Sequence, residues 1–292
     1  MGQGQSEELQ LQPLGDKYSI GRTKFGEGAY GTVWKGTDRI SGNIVAIKQM
    51  SKAKLSKGGD KLVNNMGREV VMMRACQHEN VAQLFGVFQE QKFVYLVMEC
   101  CEGGDIGERV IGGNAQVSED QLADWCWQMC SAAAMLHSKR ICHRDLKPQN
   151  YLLRGSTLKL SDFGLAAAFN PDTEPRETFG QLCGSMVYMA PEVFQRSYTE
   201  RCDIWSTGMV VQDLVCGKPL FVKIPESQLQ EVVCGGGVKL DHTEWNYHKP
   251  WLKDLVLQML LTEKAGRPSA ATCLDNPDVQ SAAALGACCA IA

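Results

Sequence analysis

A series of short polar motifs in a fixed order does most to narrow the folds open to this chain. Its central member is HRDLKPQN, His143–Asn150, and Asp162 of the triplet DFG comes twelve residues later. Asp145 can accept the proton of a hydroxyl group, Lys147 can neutralise a phosphoryl group, and the amide oxygen of Asn150 can ligate Mg²⁺. The carboxylate of Asp162 is a hard oxygen ligand for the same ion. The two motifs together predict a site for phosphate and a divalent cation.

A glycine-rich segment and a lysine-bearing strand precede these motifs. The segment is GEGAYGTV, Gly26–Val33, whose glycines let backbone N–H groups approach phosphate oxygens. In the next strand, IVAIK, alternation puts Ala46 and Lys48 on one face. Taken alone, the glycine-rich segment could be an ordinary hairpin and the lysine an ordinary solvated charge, with no role in phosphate binding. Glu69, however, lies on the apolar inward face of a predicted helix, where a carboxylate needs a cation, so we expect it to pair with Lys48.

Periodicity divides the chain into two parts joined by a short segment with two glycines. Residues 1–17 are rich in Gln, Glu and Gly without periodicity and predict a flexible leader. From 18 to 98, short β-branched and aromatic runs surround one helical segment, which predicts a small antiparallel sheet with a single helix. Residues 99–104 form the expected hinge, 105–277 are largely helical, and 278–292 are an alanine-rich tail that we expect to be disordered.

Taken together, the motifs resemble the signature set of the protein kinase superfamily, from about Tyr18 to Pro277. The resemblance implies an α+β, bilobal kinase fold, with a small antiparallel-sheet N-lobe that carries one helix and a larger, mainly helical C-lobe. It implies an enzyme that transfers the γ-phosphoryl group of ATP, with ATP and Mg²⁺ as cofactors. APE at Ala190–Glu192 resembles the end of the activation segment, and Arg267 resembles the usual partner of Glu192.

The resemblance also implies a role for each motif residue. Four residues would carry or organise catalysis: Asp145 as the base, Lys147 on the γ-phosphate, Lys48 on the α and β phosphates, and Glu69 as the partner of Lys48. Magnesium would be held by Asn150 and Asp162. The remaining nucleotide contacts would come from Gly26, Gly28, Gly31, Val33, Ala46, Met98, Glu99, Cys101, Asp105 and Leu152.

Two positions indicate the substrate class. Lys147 within HRDLKPQN and Ser185 within GSMVYMAPE match the pattern of serine/threonine kinases. The EGGDI segment and the late WLKDLVLQMLLTEKAGRPSA are most similar to the calmodulin-dependent and calcium-dependent protein kinase group. The alternative is a pseudokinase or nucleotide-binding scaffold without phosphotransfer. Such proteins normally lack one of three residues that this chain has, namely Lys48, Asp145 and Asp162.

The chain departs from the family pattern in its activation segment and near its catalytic loop. Where many kinases carry a phosphorylated threonine that pairs with Arg144, this chain has Gln181. We therefore expect no phosphorylation at that position, with Thr178 as at best a displaced site. Gln149 stands where kinases that prefer basic substrates often have glutamate, while Asp105 retains another acidic contact. A preference for arginine upstream of the target is therefore a second hypothesis.

Composition bears on partners and location. The net charge of −3 gives no bulk attraction to nucleic acid, so we expect protein substrates with Ser/Thr acceptors and no nucleic-acid partner. The 13 cysteines form no C-x-x-C pair and follow no secretory signal, which indicates reduced thiols and a cytoplasmic location. Cys183, beside the expected peptide-binding segment, is either redox sensitive or an inert buried thiol. The sequence leaves the oligomeric state open.

The two ends of the chain carry candidate lipidation motifs. MGQGQS fits N-myristoylation at Gly2, and the final CAIA resembles a prenylation box at Cys289, with Cys288 available for palmitate. A chance match in flexible ends is the ordinary alternative. The calcium-dependent group usually continues into an autoinhibitory helix and calcium-binding lobes, whereas 15 residues follow Pro277 here and no EF-hand loop is present. We therefore expect no direct calcium binding.

Overall fold

The computed structural model describes residues 13–28, 31–57, 59–113, 117–170, 172, 178–221, 223–236 and 238–281, without the side chains of 56–65. The lipidation candidates Gly2, Cys288 and Cys289 lie outside these residues. The chain divides into two compact units. One holds the described residues up to Gln77 together with Ala82–Cys101, and the other holds His78–Val81 together with the described residues from Glu102 onward.

A five-stranded antiparallel sheet forms the first unit, with strand order β1-β2-β3-β5-β4. Its strands are β1 (Tyr18–Gly28), β2 (Gly31–Asp38), β3 (Ile44–Ser51), β4 (Leu84–Gln89) and β5 (Phe93–Glu99). The β-branched and aromatic content of β3 and β5 suits these central positions, because such side chains pack well on a pleated surface. The sheet agrees with the small antiparallel sheet that the sequence predicts.

Helices and apolar side chains cover both faces of this sheet. The helices of the unit are α1 (Leu14–Lys17), α2 (Lys52–Lys57) and α3 (Gly59–Ala75), of which α3 is the predicted helix. Against one face pack Leu14, Tyr18, Val45, Ile47, Phe88, Tyr95 and Val97. The other face forms a cluster of Met50, Leu55, Val70, Val87, Val94 and Leu96, to which α3 contributes Val70. Alternation along each strand therefore supplies two apolar layers.

The second unit is mainly helical. Its helices are α4 (Glu119–Ser138), α5 (Pro191–Phe194), α6 (Arg201–Cys216), α7 (Glu226–Gly236), α8 (Pro250–Met259) and α9 (Ala270–Leu274). A π-helical turn spans Gly107–Ile111, and 3-10 turns span Pro148–Asn150, Met186–Tyr188 and Thr243–Tyr247. Short strands β6 (Ile141–Cys142) and β9 (Ala167–Ala168) pair with each other, as do β7 (Tyr151–Arg154) and β8 (Thr157–Leu160).

The two longest helices of this unit follow directly from their sequences. Ser118 caps α4 by accepting a hydrogen bond from the backbone N–H of Gln121 at 3.2 Å, as the capping-box pattern predicts. Nearly every residue of α6 is buried, which fits its apolar character on all sides. Gly217 ends α6 at φ +62°, a left-handed conformation that glycine adopts without strain. Together with the sheet, these helices confirm the predicted α+β kinase fold.

The structure differs from the predicted boundaries in three places. Leu14, assigned to the flexible leader, is only 3% exposed because it packs in the sheet core, so order begins before Tyr18. Residues 278–281, at the start of the expected disordered tail, are helical, and Val279 is buried. His78–Val81 belongs to the second unit although the prediction placed it in the first lobe. The cause is a long-range contact, since Asn80 accepts a hydrogen bond from the backbone N–H of Leu160.

No helix among the described residues is long and apolar enough to cross a membrane.

Candidate active site

Lys48 and Glu69 form the ion pair that the sequence predicts. Lys48 lies on β3 and Glu69 on α3, and the lysine Nζ donates to the carboxylate Oε1 at 2.7 Å. The two side chains are 15% and 7% exposed. A carboxylate at this depth is stabilised by a nearby cation, so the pair fixes the position of the ammonium group.

The predicted nucleotide contacts of the first unit share one face of the sheet. Val33 lies opposite Lys48 in the pairing of β2 with β3, and Ala46 lies opposite Met98 in the pairing of β3 with β5. Residues directly opposite each other in an antiparallel pair point to the same side, and so do residues two apart in one strand. Val33, Ala46, Lys48 and Met98 therefore line the same surface.

The predicted phosphate-binding glycines have different structural roles. A Cβ added at Gly26 would have no neighbour within 4 Å, so packing within the described protein does not require glycine there. At Gly31 an added Cβ would lie 2.1 Å from the backbone oxygen of Gln49, so β-sheet packing alone requires that glycine. Gly28 pairs with Gly31 across the turn. Open space at Gly26 is what close approach of a ligand to the backbone would need.

The end of β5 holds the two predicted backbone contacts. Glu99 is buried, and its backbone N–H donates to the oxygen of Gln83 at 2.8 Å. The Glu99 carboxylate in turn accepts from the Gln83 N–H at 3.2 Å. Cys101 is a half-buried cysteine and is the last residue of the first unit. The strand end is thus held to the segment before β4 by both backbone and side chain.

In the second unit, Asp145 lies at the centre of a compact polar cluster. Lys147 Nζ donates to Asp145 Oδ2 at 2.7 Å and to Ser185 Oγ at 3.0 Å. Ser185 donates to Asp145 Oδ1 through both its backbone N–H, at 2.8 Å, and its hydroxyl, at 2.9 Å. The aspartate is buried to 9% exposure and held by charged and neutral donors together. The structure therefore brings together a candidate base, a cation and a hydroxyl.

Asn150 and Asp162 offer oxygen atoms suited to magnesium. Asn150 Nδ2 donates to the backbone oxygen of Asp145 at 2.7 Å, so the opposite atom of the amide, Oδ1, is the one suited to a cation. The N–H and hydroxyl of Ser161 donate to the backbone oxygen of Asn150 at 2.8 and 3.0 Å, which holds the residue before Asp162 beside Asn150. An amide oxygen and a carboxylate are the hard ligands that Mg²⁺ prefers, so the residues fit this ion.

Asp203 of α6 holds the backbone of His143–Asn150, the segment that corresponds to the catalytic loop of the family pattern. Its carboxylate accepts the backbone N–H groups of His143 and Arg144, each at 2.9 Å, and contacts His137 Nε2 at 2.9 Å. Burial alone would raise the pKa of Asp203, but the hydrogen bond from His137 and the charges of His137 and His143 outweigh burial and lower it. The buried aspartate is therefore kept ionised, as its role of acceptor for two N–H groups requires.

Two of the four non-glycine residues with positive φ in the described part of the chain lie at the candidate active site. Arg144 and Asp162 have φ values of +68° and +60°, in the left-handed region that costs a non-glycine residue about 1–3 kcal/mol. Gly184 has φ +107°, and an added Cβ would lie 2.5 Å from the backbone oxygen of Arg144. Such strain persists only where the surroundings enforce it, and it is common at functional sites.

Asp105 and Leu152, the remaining predicted nucleotide contacts, lie beside each other in an isolated antiparallel bridge. Asp105 Oδ1 accepts the backbone N–H of Glu108 at 2.8 Å, so this carboxylate also caps the π-helical turn. An added Cβ at Gly107 would lie 3.0 Å from both Asp105 Oδ1 and Gln149 Nε2. The Asp105 carboxylate is therefore a neighbour of Gln149, the residue that stands where kinases preferring basic substrates often have glutamate.

The activation segment is held by a tyrosine that the sequence did not single out. The fully buried Tyr198 donates through its hydroxyl to the backbone oxygen of Gln181 at 2.6 Å. Phe179 pairs with Tyr198 through the backbone, and the Arg144 guanidinium lies 5.2 Å from the Phe179 ring centroid. Arg144 also donates to the oxygen of Leu165 at 2.7 Å. Arg144 is thus engaged by uncharged groups where the family pattern has a phosphate.

Glu192 and Arg267 form the predicted buried pair at the end of the segment. The guanidinium donates to both carboxylate oxygens, at 2.5 and 3.0 Å, and the side chains are 0% and 4% exposed for Arg267 and Glu192. Arg267 also donates to the backbone oxygens of Leu261 and Arg201. This bidentate geometry anchors α5, which carries Glu192.

An open groove of about 650 Å³ borders Lys147 and Ser185. Its lining is mostly apolar and includes Val187, Phe221, Ile224 and Leu229, with one acidic residue, Glu226. Sequence reasoning missed Phe221 and Ile224, which follow α6 in an irregular segment without periodicity, and Glu226, which is the first residue of α7. It missed Tyr198 because a lone tyrosine in the polar run QRSYTER carries no periodic signal.

A sheet-and-helix fold with these two residue clusters defines the class of bilobal kinases. Residues 20–278 match the family model for the protein kinase domain, and the chain belongs to that family. It is 34% identical over 274 residues to Calcium-dependent protein kinase 10 of Oryza sativa subsp. japonica, covering 92% of this chain and 44% of that protein. It is 33% identical over 274 residues to Serine/threonine-protein kinase 33 of Bos taurus, covering 90% and 55% respectively. The chain spans about half the length of the curated relatives it matches.

Calcium-dependent kinases from several organisms are among these relatives, including Calcium-dependent protein kinase 14 of Arabidopsis thaliana at 34% identity over 91% of this chain. This agrees with the group that the sequence motifs indicate. The comparisons support a serine/threonine kinase, and nothing in them favours a pseudokinase.

Proposed function

We propose that this chain is a serine/threonine protein kinase that transfers the γ-phosphoryl group of ATP to protein hydroxyls. The observation that carries the proposal is the cluster in which Asp145 accepts from both Lys147 and Ser185. A carboxylate held beside a cation can take a hydroxyl proton while the ammonium neutralises charge on the transferred group.

The other site residues have proposed roles that follow from their chemistry. Lys48, positioned by Glu69, would bind nucleotide phosphates, and the backbone at Gly26, Gly28 and Gly31 would cover them. The apolar residues Val33, Ala46, Met98 and Leu152 would contact the adenine ring, with backbone bonds from Glu99 and Cys101 and a further contact from Asp105. Asn150 and Asp162 would hold magnesium, which when bound neutralises phosphate charge. Catalysis would then rest on positioning and charge neutralisation.

The groove beside Lys147 supports a peptide as the substrate. Its apolar lining suits a hydrophobic side chain next to the acceptor, and Ser185 at its edge matches the serine/threonine pattern. Glu226 in the lining and Asp105 offer acidic contacts, which support the hypothesis of a preference for arginine near the target. A peptide array without an arginine bias would contradict this part of the proposal.

The activation segment supports activity without phosphorylation. Tyr198 and Phe179 hold the segment at Gln181 and engage Arg144 without a phosphate. We expect phosphatase treatment, and Thr178→Ala, to leave the transfer rate within about twofold of the untreated protein. A loss of activity in both would show that Thr178, which is exposed, is a regulatory site.

The decisive experiment is transfer of labelled phosphate from ATP to a generic protein substrate, followed by identification of the modified amino acid. The wild-type chain should label serine and threonine when Mg²⁺ is present and lose activity when it is chelated. Asp145→Asn should lower the rate at least about 100-fold while nucleotide still raises its melting temperature. Equal labelling by wild type and Asp162→Asn would leave the pseudokinase alternative in place of the enzyme.

Two further predictions concern location and boundaries. A lipid at Gly2 or Cys289 would bring the protein to a membrane, and the intact mass of the protein from its own cells tests both positions. We also propose that the two compact units act as the two lobes of a kinase, with residues 99–104 as the hinge. The division of the chain between Cys101 and Glu102 supports this position.

A further inference from the structure

Outside the candidate active site, a thiol, an imidazole and a carboxylate converge at one place in the second unit. Cys216 is the last residue of α6, while His242 and Glu244 lie at the start of the 3-10 turn Thr243–Tyr247. One ligand atom from each of the three side chains lies within 4.8 Å of the other two. All three side chains are half-exposed, so an ion in solution can reach them.

A buried glutamine holds this cluster in place. Gln212, fully buried on α6, donates through Nε2 to Cys216 Sγ at 3.0 Å. Its Oε1 accepts the indole N–H of the buried Trp245 at 2.6 Å. Trp245 follows Glu244 directly in the 3-10 turn, so one side chain joins the helix end to the turn that carries the other groups. In known metal sites, hydrogen bonds to the ligand side chains from residues behind them fix the orientation of the ligands.

We propose that Cys216, His242 and Glu244 bind one Zn²⁺ ion. A thiolate, an imidazole and a carboxylate are the usual ligands of zinc, whereas Mg²⁺ and Ca²⁺ take oxygen ligands. A tetrahedral ion with bonds of about 2.0–2.3 Å separates its ligand atoms by about 3.3–3.8 Å, so small side-chain rotations would close the cluster. Water would complete the fourth position, and the Cys216 thiol would release its proton to solvent on binding.

Lys218 is the competing group at this site. Its Nζ lies 3.8 Å from Glu244 Oε1, and the side chains of Lys218 and Glu244 are 57% and 37% exposed. An exposed ion pair of this kind is weak, so a divalent ion that also binds a thiolate and an imidazole can displace it. Removing the lysine should therefore strengthen metal binding.

The other cluster of metal-ligating groups in the described residues does not have these properties. Cys142, Cys202 and Asp203 are fully buried, and the Asp203 oxygens already accept hydrogen bonds from His143 and Arg144. The proposed site differs because it is reachable from solvent and lies apart from the catalytic loop in the chain. Zinc there would tie the end of α6 to the turn that precedes α8.

The test is titration of the full chain with Co²⁺, whose absorption reports thiolate ligation and tetrahedral geometry, followed by displacement with Zn²⁺. Wild type should show one such ion per chain and a higher melting temperature with Zn²⁺. Cys216→Ser and His242→Ala should each lose at least about 100-fold in affinity, and Lys218→Ala should bind about two- to fivefold more tightly. Cys234→Ser, which changes another half-buried thiol, is the matched control.

Each outcome bears on the proposal. A cobalt spectrum that is lost in Cys216→Ser and His242→Ala but kept in Cys234→Ser supports the site. A spectrum unchanged in Cys216→Ser would show that other thiols bind the metal, and that result, or the absence of any thiolate band in wild type, would overturn the proposal. The Lys218→Ala variant keeps all three ligands and should bind the metal more tightly. Misfolding of a variant could not produce such a gain in affinity.

Discussion

At the scale of single residues, burial decides which ion pairs of this protein contribute most to its stability. Glu192 and Arg267 have almost no exposed surface, whereas the pair of Arg140 and Asp172, with an N–O distance of 2.7 Å, is largely exposed. A buried charge without its partner keeps the whole cost of its desolvation. An exposed charge is solvated by water instead, so two ion pairs of similar length contribute differently to stability in the two places.

The buried pair yields a stability prediction. Arg267→Met leaves Glu192 buried without its bidentate partner, and we expect the free energy of unfolding to fall by about 3–5 kcal/mol. The matched control is Arg140→Met, for which we expect a change of at most about 1 kcal/mol. Urea denaturation followed by tryptophan fluorescence measures both. Equal effects of the two substitutions would show that the pair is not a main anchor of α5.

A second residue prediction concerns the hydroxyl beside the candidate base. Ser185→Ala removes one donor to Asp145 Oδ1 and the oxygen that accepts from Lys147, but keeps the backbone donor at 2.8 Å. Each of these two hydrogen bonds is worth about 1 kcal/mol, so we expect kcat to fall about five- to thirtyfold with an unchanged KM for ATP. Steady-state kinetics at saturating peptide test this. An unchanged kcat would mean that Lys147 and the backbone suffice to hold Asp145.

At the scale of secondary-structure elements, the sequence predicts the helices and strands whose sequence patterns extend over a few neighbouring residues. The capping box before α4, the apolar character of α6 and the alternation in β3 all depend on neighbours within a few residues. The helix Leu14–Lys17, the attachment of His78–Val81 to β8 and the role of Tyr198 depend instead on contacts between distant parts of the chain. The pairing of Lys48 with Glu69 could be predicted because a carboxylate on the apolar face of a helix needs a nearby cation. The metal cluster was not, since its cysteine and histidine lie in unrelated segments.

The activation segment gives a prediction at the element scale. Tyr198→Phe removes the donor to the backbone oxygen of Gln181, which should cost about 1 kcal/mol locally and loosen residues 178–184. Hydrogen exchange of peptides from this segment should then become faster, with a lower rate of phosphate transfer. Tyr247→Phe, at a tyrosine that is 83% exposed, should change neither measurement. Exchange rates equal to wild type in Tyr198→Phe would show that Phe179 and the backbone pairing hold the segment alone.

At the scale of the whole molecule, a buried carboxyl group couples stability to pH. Asp213 on α6 accepts from the hydroxyl of Tyr188, at 2.9 Å, and from the N–H of Leu220, at 2.9 Å. Burial raises the pKa of Asp213 from 3.8 to about 7, and burial also raises the pKa of Tyr188, so the tyrosine stays protonated throughout the neutral range. The hydrogen bond between Tyr188 of the activation segment and Asp213 of α6 therefore involves a carboxyl group whose charge changes near neutral pH.

The sign of the effect follows from the two pKa values. Unfolded Asp213 loses its proton near pH 3.8 and folded Asp213 near pH 7, so protonation stabilises the folded state below that range and the contribution is lost as pH rises toward 7. Between pH 5 and 7 we expect wild type to lose up to about 2 kcal/mol more stability than Asp213→Asn, which cannot ionise. The asparagine also lacks one acceptor, but that cost is the same at every pH. Denaturation curves at pH 5, 6, 7 and 8 separate the two effects, and a constant difference between the proteins would contradict the prediction.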